Sequence, residues 1–144
     1  MDVLELIRTA KVGVAPETFA LVALTNDEWN TVLSDPAASP RMSVPFMILK
    51  DPHEITLMLD ETDLASVTGV LGSVRVERGF RLLTFDIALD FSVTGFLAEI
   101  SKVLADHNIP IVAVSSFSRD HLLIKQTDLA IALRALGEIV DEVC

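Results

Sequence analysis

The sequence predicts an α+β fold made of two ferredoxin-like βαββαβ modules packed side by side, with antiparallel sheets and helices on one face. Three observations carry this. The segment TDLA occurs at 62–65 and again at 127–130, an offset of 65 positions. A gap-free shift by the same offset sets FALVAL (19–24) over TFDIAL (84–89), VPFMIL (44–49) over IPIVAV (109–114), and the pair Leu71-Gly72 over Leu136-Gly137. Apolar residues in the second half change from a period of two to a helical period and back, in the order strand, helix, strand, strand, helix. A fixed internal period is evidence for repeated supersecondary units, and it divides the chain into modules at 1–79 and 80–144.

The second module is the clearer one. In RLLTFDIAL (81–89), Leu83, Phe85, Ile87 and Leu89 alternate with Leu82, Thr84, Asp86 and Ala88, the pattern of a strand with one face more apolar than the other. DFSVTG (90–95) suits a turn leading to a helix cap. FLAEISKVLADHN then sets Phe96, Leu97, Ile100, Val103 and Leu104 at helical spacing, and this helix ends near His107 and Asn108, before Pro110. IPIVAVSSF reads as a β-branched strand, SRD as a tight turn and HLLIKQ as the antiparallel partner. Thr127 or Asp128 can cap the last helix, whose stripe is Leu129, Ala132, Leu133, Leu136 and Ile139.

The first module supplies a closing strand in SVRVERG (73–79). Its stretch 26–43 contains Pro36 and Pro40 and lacks a sustained apolar stripe, so a helix there is short or broken. VDEVC at the C-terminus leaves little chain for a closing strand in the second module. VLELI (3–7) is read as a strand that fills that vacancy.

Composition bounds the function. Half of the residues are apolar, enough for a core, and modules this small are marginal alone and bury surface against one another. Eleven basic against 21 acidic residues give a formal charge of −10, which argues against a phosphate-backbone partner, and Trp29 is the lone tryptophan with no tyrosine beside it. A single cysteine, Cys144, closes no internal disulfide and fits a reducing compartment. MDVLELIRTAK places acidic residues where a secretory signal is basic, and no apolar run reaches membrane-spanning length. These features point to a cytoplasmic protein with neither membrane nor nucleic acid as partner. His53, His107 and His121 show no ligand spacing, so no metal or other cofactor is expected. No nucleophile elbow, phosphate-binding loop or dinucleotide glycine loop is present, which argues against an enzyme.

With the elements placed, residues 76–136 resemble the ACT domain family, and specifically the small tandem ACT proteins related to the eukaryotic cytosolic arginine sensors (CASTOR-like). The likeness rests on ERG before the first strand, DFS..G at the loop, I..VS.F in the second strand and D..L entering the third. It covers nearly all of the second module and the first more loosely. The resemblance implies a regulatory, non-catalytic sensor that binds an amino acid where two ACT units meet. It also places Phe117 and Asp120 at the positions of that family's ligand-contacting aromatic and aspartate.

The residues themselves allow such a site. A loop running into a helix N-terminus offers unpaired N–H groups and a positive dipole end to a carboxylate. That loop contributes Asp90, Ser92, Val93, Thr94 and Gly95, with Gly95 letting a ligand approach the backbone. Asp120 is the acidic candidate for an ammonium or a basic side chain, Phe117 an apolar wall, and Ser92, Thr94 and Ser116 the hydroxyl candidates. Each has a structural alternative: turn chemistry for Asp120, helix capping for Ser92 and Thr94, tight packing for Gly95, core or interface for Phe117. The leading expectation is an amino-acid sensor with its ligand at the seam between modules, acting as a homodimer with a regulated protein partner. The alternative is a ligand-free ACT pair that serves dimerisation or protein docking.

Overall fold

The computed structural model, which describes residues 2–144, begins with a helix where the sequence reading placed a strand. In chain order the elements are α1 (Val3–Thr9), β1 (Lys11–Val14), β2 (Phe19–Leu24), α2 (Asn26–Ser34), β3 (Met47–Lys50), β4 (Ile55–Asp60), α3 (Glu61–Leu71), β5 (Arg75–Phe85), α4 (Phe96–Asp106), β6 (Val112–Ser115), β7 (Asp120–Lys125), α5 (Leu129–Gly137) and β8 (Glu142–Val143). Short 3-10 turns occupy Pro36–Ala38 and Gln126–Asp128. β3 and β4 lie 65 positions before β6 and β7, end for end. The chain forms two compact units, Met1–Pro16 with Phe80–Cys144, and Glu17–Gly79. The boundary between these units falls between Gly79 and Phe80, and residues 2–16 group with the second half rather than with the 17–79 segment.

The reason lies in the first fourteen residues. Asp2 accepts a hydrogen bond from the Glu5 N–H at 2.9 Å and starts α1, while Val3, Leu6 and Ile7 put an apolar stripe against the core of the 80–144 segment. VLELI is thus helical, and the vacant edge is filled by the next segment. β1 pairs antiparallel with the end of β5, Val12 opposite Phe85 and Val14 opposite Leu83. β8 adds only two residues, parallel to the outer side of β1. The strand order in this unit is β6-β7-β5-β1-β8.

β5 also differs from expectation. The runs 73–79 and 81–89, read as two strands, form one strand that ends at Phe85. There the Ile87 N–H donates to the Phe85 carbonyl at 2.8 Å, a three-residue turn that takes the chain out of the ladder. On the helix side Leu83 lies opposite Leu122, and both are buried with Phe85, Ile100, Leu104 and Leu136. α4 presents Phe96, Ile100 and Leu104 at helical spacing and ends at His107, with Asn108 at a φ of 57°. α5 has no side-chain cap from Thr127 or Asp128, because the 3-10 turn before it leads directly into the helix. Truncating Ile100 to Ala removes side-chain volume from a fully buried position, and chemical denaturation should show a loss of about 2–5 kcal/mol.

In the 17–79 unit β4 lies between β3 and β2, antiparallel to both. Val22, Leu24, Ile55, Leu57 and Leu59 face α2 and α3, where Val32, Leu64 and Val67 are buried. α2 is nine residues long, capped by Thr25 and stopped before Pro36. The loop after it is tied down by Arg41, which pairs with Asp60 and, at 2.9 Å, with Asp63; both aspartates are buried. Asp60 also caps α3, accepting from the Asp63 N–H at 2.8 Å. Burial pushes the Asp60 carboxyl up, but the Asp63 N–H and the Arg41 guanidinium outweigh it and hold the carboxyl below its ordinary value of 3.8. A carboxyl lowered by folding stabilises the native state above the ordinary range, and that stabilisation is lost as pH falls through the folded-state value. Asp60→Asn should therefore reduce stability near neutral pH and flatten the acid limb of the stability profile, as read by urea unfolding across pH 7 to about pH 3.

Candidate functional site

α4 is placed by its first residue. Phe96 is buried and meets Phe85 of β5 edge-on, with ring centroids 5.6 Å apart. That contact fixes the helix start beside the end of β5 and above the β6–β7 turn. The chain reaches Phe96 through Gly95, which has a φ of 85°, a left-handed conformation that costs an L side chain about 1–2 kcal/mol. A Cβ at Gly95 would meet Val3 Cγ1 at 3.8 Å, an ordinary contact. Backbone conformation, rather than tight packing, accounts for this glycine.

Three of the helices are capped by a side chain at their first turn: α1 by Asp2, α2 by Thr25 and α3 by Asp60. α4 has no such cap, since Gly95 has none to offer and neither Ser92 nor Thr94 reaches it. Its first N–H groups have no intrahelical partner. They face an open hollow of about 310 Å³ lined by Gly95, Phe96, Leu97 and Ala98 on one side and by 115–120 on the other. This volume is at the lower end of small-molecule sites, roughly 300–1,000 Å³.

Two bonds tie the walls together. The Leu89 N–H donates to the Ser118 carbonyl at 2.8 Å, and Arg119 Nε donates to Asp86 Oδ1 at 3.0 Å. Within the loop Asp90 Oδ1 accepts from the Ser92 hydroxyl at 2.7 Å and from the Ser92 N–H at 2.8 Å, which lowers the Asp90 carboxyl below its usual range. Asp120 Oδ1 accepts from the Ser115 hydroxyl at 2.7 Å. Ser116 donates to the Arg119 carbonyl at 3.3 Å and contacts His121 Nε2 at 3.2 Å, while His121 Nδ1 lies 2.8 Å from Thr84 Oγ1. The Ser116 hydroxyl hydrogen is thus committed, so Nε2–H is the fitting donor and Nδ1 accepts from Thr84. Burial lowers the His121 pKa, which favours this neutral ring.

Of the residues singled out by sequence, Asp90, Val93, Gly95, Ser116, Phe117 and Asp120 line this one hollow, and Ser92 and Thr94 do not. Phe117 is not core: it is 81% exposed and stacks edge-on against Phe91, itself 78% exposed, at 5.0 Å. Phe91, Ser115 and Arg119 also line the hollow and were not anticipated. Their signal was present, since Phe91 lies in DFSVTG, Ser115 in IPIVAVSSF and Arg119 in SRD.

Residues 75–138 match the ACT domain family. No curated protein matches the sequence significantly. Among solved structures the chain is similar to a protein from Agobacterium tumefaciens, at TM-score 0.72 and 19% identity over 94% of this chain and 92% of that one. It is also similar to a protein of unknown function from Vibrio cholerae described as a possible transport protein, at TM-score 0.68, 21% identity and 94% coverage of each chain. A third is the ligand-free regulatory subunit of aspartate kinase from Thermus thermophilus, at TM-score 0.62 and 14% identity over 92% of this chain and 98% of that one. Identities this low establish a shared fold and nothing beyond it. Among the described residues no helix is long and apolar enough to cross a membrane.

Gly95→Ala should lower stability by about 1–2 kcal/mol through the backbone alone, and calorimetric melting with a crystal structure of the variant should show the 90–95 loop rearranged while the core is unchanged.

Proposed function

We propose that this chain is a non-catalytic regulatory protein of two ACT-type modules that binds an amino acid in the hollow at the α4 tip. The observation that carries the reading is the uncapped helix N-terminus over a hollow that gathers six of the eight residues singled out by sequence. The N–H groups of Phe96 to Ala98 receive the ligand carboxylate, where the helix dipole favours negative charge. Asp120 accepts the ammonium or a basic side chain, and Phe117 with Phe91 forms an apolar wall at the mouth. Ser115 and Ser116 supply hydroxyls beside Asp120. Similarity in fold to an aspartate kinase regulatory subunit fits a regulatory role. In this reading a second copy of the chain closes the open side, so that the ligand lies where one ACT unit meets another, and the protein acts in the cytoplasm on a regulated partner.

The exposed Phe91–Phe117 pair also favours a second reading, in which the same rim is a ligand-free dimerisation or docking surface. Calorimetric titration with a panel of amino acids separates the two. At least one amino acid should bind, Asp120→Ala should weaken it about tenfold or more, equivalent to about 1.4 kcal/mol, and Phe117→Ala should weaken it as well. Absence of binding by every amino acid, with an oligomer that dissociates in Phe117→Ala, supports the docking surface instead.

A further inference from the structure

A second hollow, of about 480 Å³, lies in the 17–79 unit. Its lining includes Leu24, Thr25, Glu28, His53 and Glu54. Each of these is the counterpart, 65 positions earlier, of a residue lining the hollow at α4: Leu89, Asp90, Val93, Ser118 and Arg119. The two hollows thus occupy the same place relative to the repeated elements. They differ in chemistry.

The counterpart of the 90–95 loop is 25–30, and almost all of it is helical. α2 starts at Asn26, five positions earlier in the repeat than α4. Its tip is closed by a reciprocal capping box, in which Thr25 Oγ1 accepts from the Glu28 N–H at 3.1 Å and Glu28 Oε1 accepts from the Thr25 N–H at 2.9 Å. Where the hollow at α4 has Val93 and Arg119, this one has the carboxylates of Glu28 and Glu54, with Arg75 set 3.7 Å from Glu54. Thr25 in place of Asp90 removes one negative charge, but the Asp90 carboxylate is already turned onto Ser92 within its own loop. Space does not distinguish the two, because the hollow in the 17–79 unit is the larger. The donors and the charges do.

We infer that the chain takes a single amino-acid ligand, at α4, and that the Thr25–Glu28 capping box is the specificity determinant that closes the equivalent hollow of the 17–79 unit to a carboxylate. This rests on the reading that the α4 tip receives a carboxylate. Two effects act together at α2: the box engages the Glu28 N–H, one of the three first-turn groups a ligand would need, and the Glu28 carboxylate, held across the tip by the Thr25 N–H, stands where the ligand's would go.

The test is an amide spectrum of the full-length 15N-labelled chain titrated with sodium acetate, the smallest carboxylate probe, at constant ionic strength. The expected result is a saturable shift of the Phe96, Leu97 and Ala98 amides with none at Asn26, Asp27 and Glu28. A double variant, Thr25→Gly with Glu28→Val, keeps most of the cap stability, since glycine at this position costs little. It should gain a saturable response at the amides of residues 26–28 without losing the response at α4. A response at residues 26–28 in the unaltered chain overturns the inference while leaving the α4 site intact, and so does a folded double variant whose α2 amides stay silent. Silence at Phe96–Ala98 in the unaltered chain instead overturns the carboxylate reading on which the inference stands.

Discussion

The constraint on which the rest depends is the start of α4, a helix whose first N–H groups have no side-chain acceptor. Two features of the chain hold it there. Phe96 is buried edge-on against Phe85, which fixes the helix to β5, and Gly95 takes a left-handed backbone at the cap position with no side chain to offer the tip. A serine or aspartate at residue 95 would supply the missing acceptor but would carry the backbone strain. The glycine both allows the geometry and withholds the cap. An unpaired helix end is stable only against solvent or a ligand, and this one faces a hollow with the Asp120 carboxylate and serine hydroxyls on its far wall.

That arrangement is supported from the opposite end of the chain. β1 occupies the strand position beside β5, and α1 packs Val3 and Ile7 onto the same core that receives Phe96. The sheet under the site is therefore assembled from three separate stretches of sequence: the N-terminus, the 80–125 segment and a two-residue strand near the C-terminus. The far wall depends on β7, where Asp120 and His121 begin the strand. Their side chains hold Ser115 and Ser116 in hydrogen bonds rather than pointing free into the hollow. A ligand's ammonium would meet a carboxylate oriented before binding, which reduces the ordering cost of association.

Much of this was legible in the sequence because it is local. Period-two alternation, the stripe Phe96, Ile100, Leu104 and the 65-residue offset each report a contact within one element or its repeat, and the strands and helices of 96–137 fall where those patterns put them. What escaped was non-local or conformational. VLELI alternates well enough to read as a strand, but Asp2 caps a helix, and only the packing of Val3 and Ile7 onto a distant core decides between them. The fusion of 75–79 and 80–85 into one strand is invisible to a pattern that expects a break between modules. Ser92 and Thr94 look like caps by residue type, yet the left-handed turn at Gly95 carries the chain past them. Phe117 looks like core by residue type and is exposed. In each case residue type was read correctly, and the backbone path, which one sequence does not state, determined the role.

The most direct measurement of the central claim is electron density at the α4 tip in crystals of the protein purified from cells and soaked with the amino acid that binds in solution. The account predicts a carboxylate with its oxygens about 2.7–3.2 Å from the N–H groups of Phe96 to Ala98, and an ammonium or basic group within the same reach of Asp120. An amino acid bound elsewhere, with the α4 tip facing only water, would contradict it.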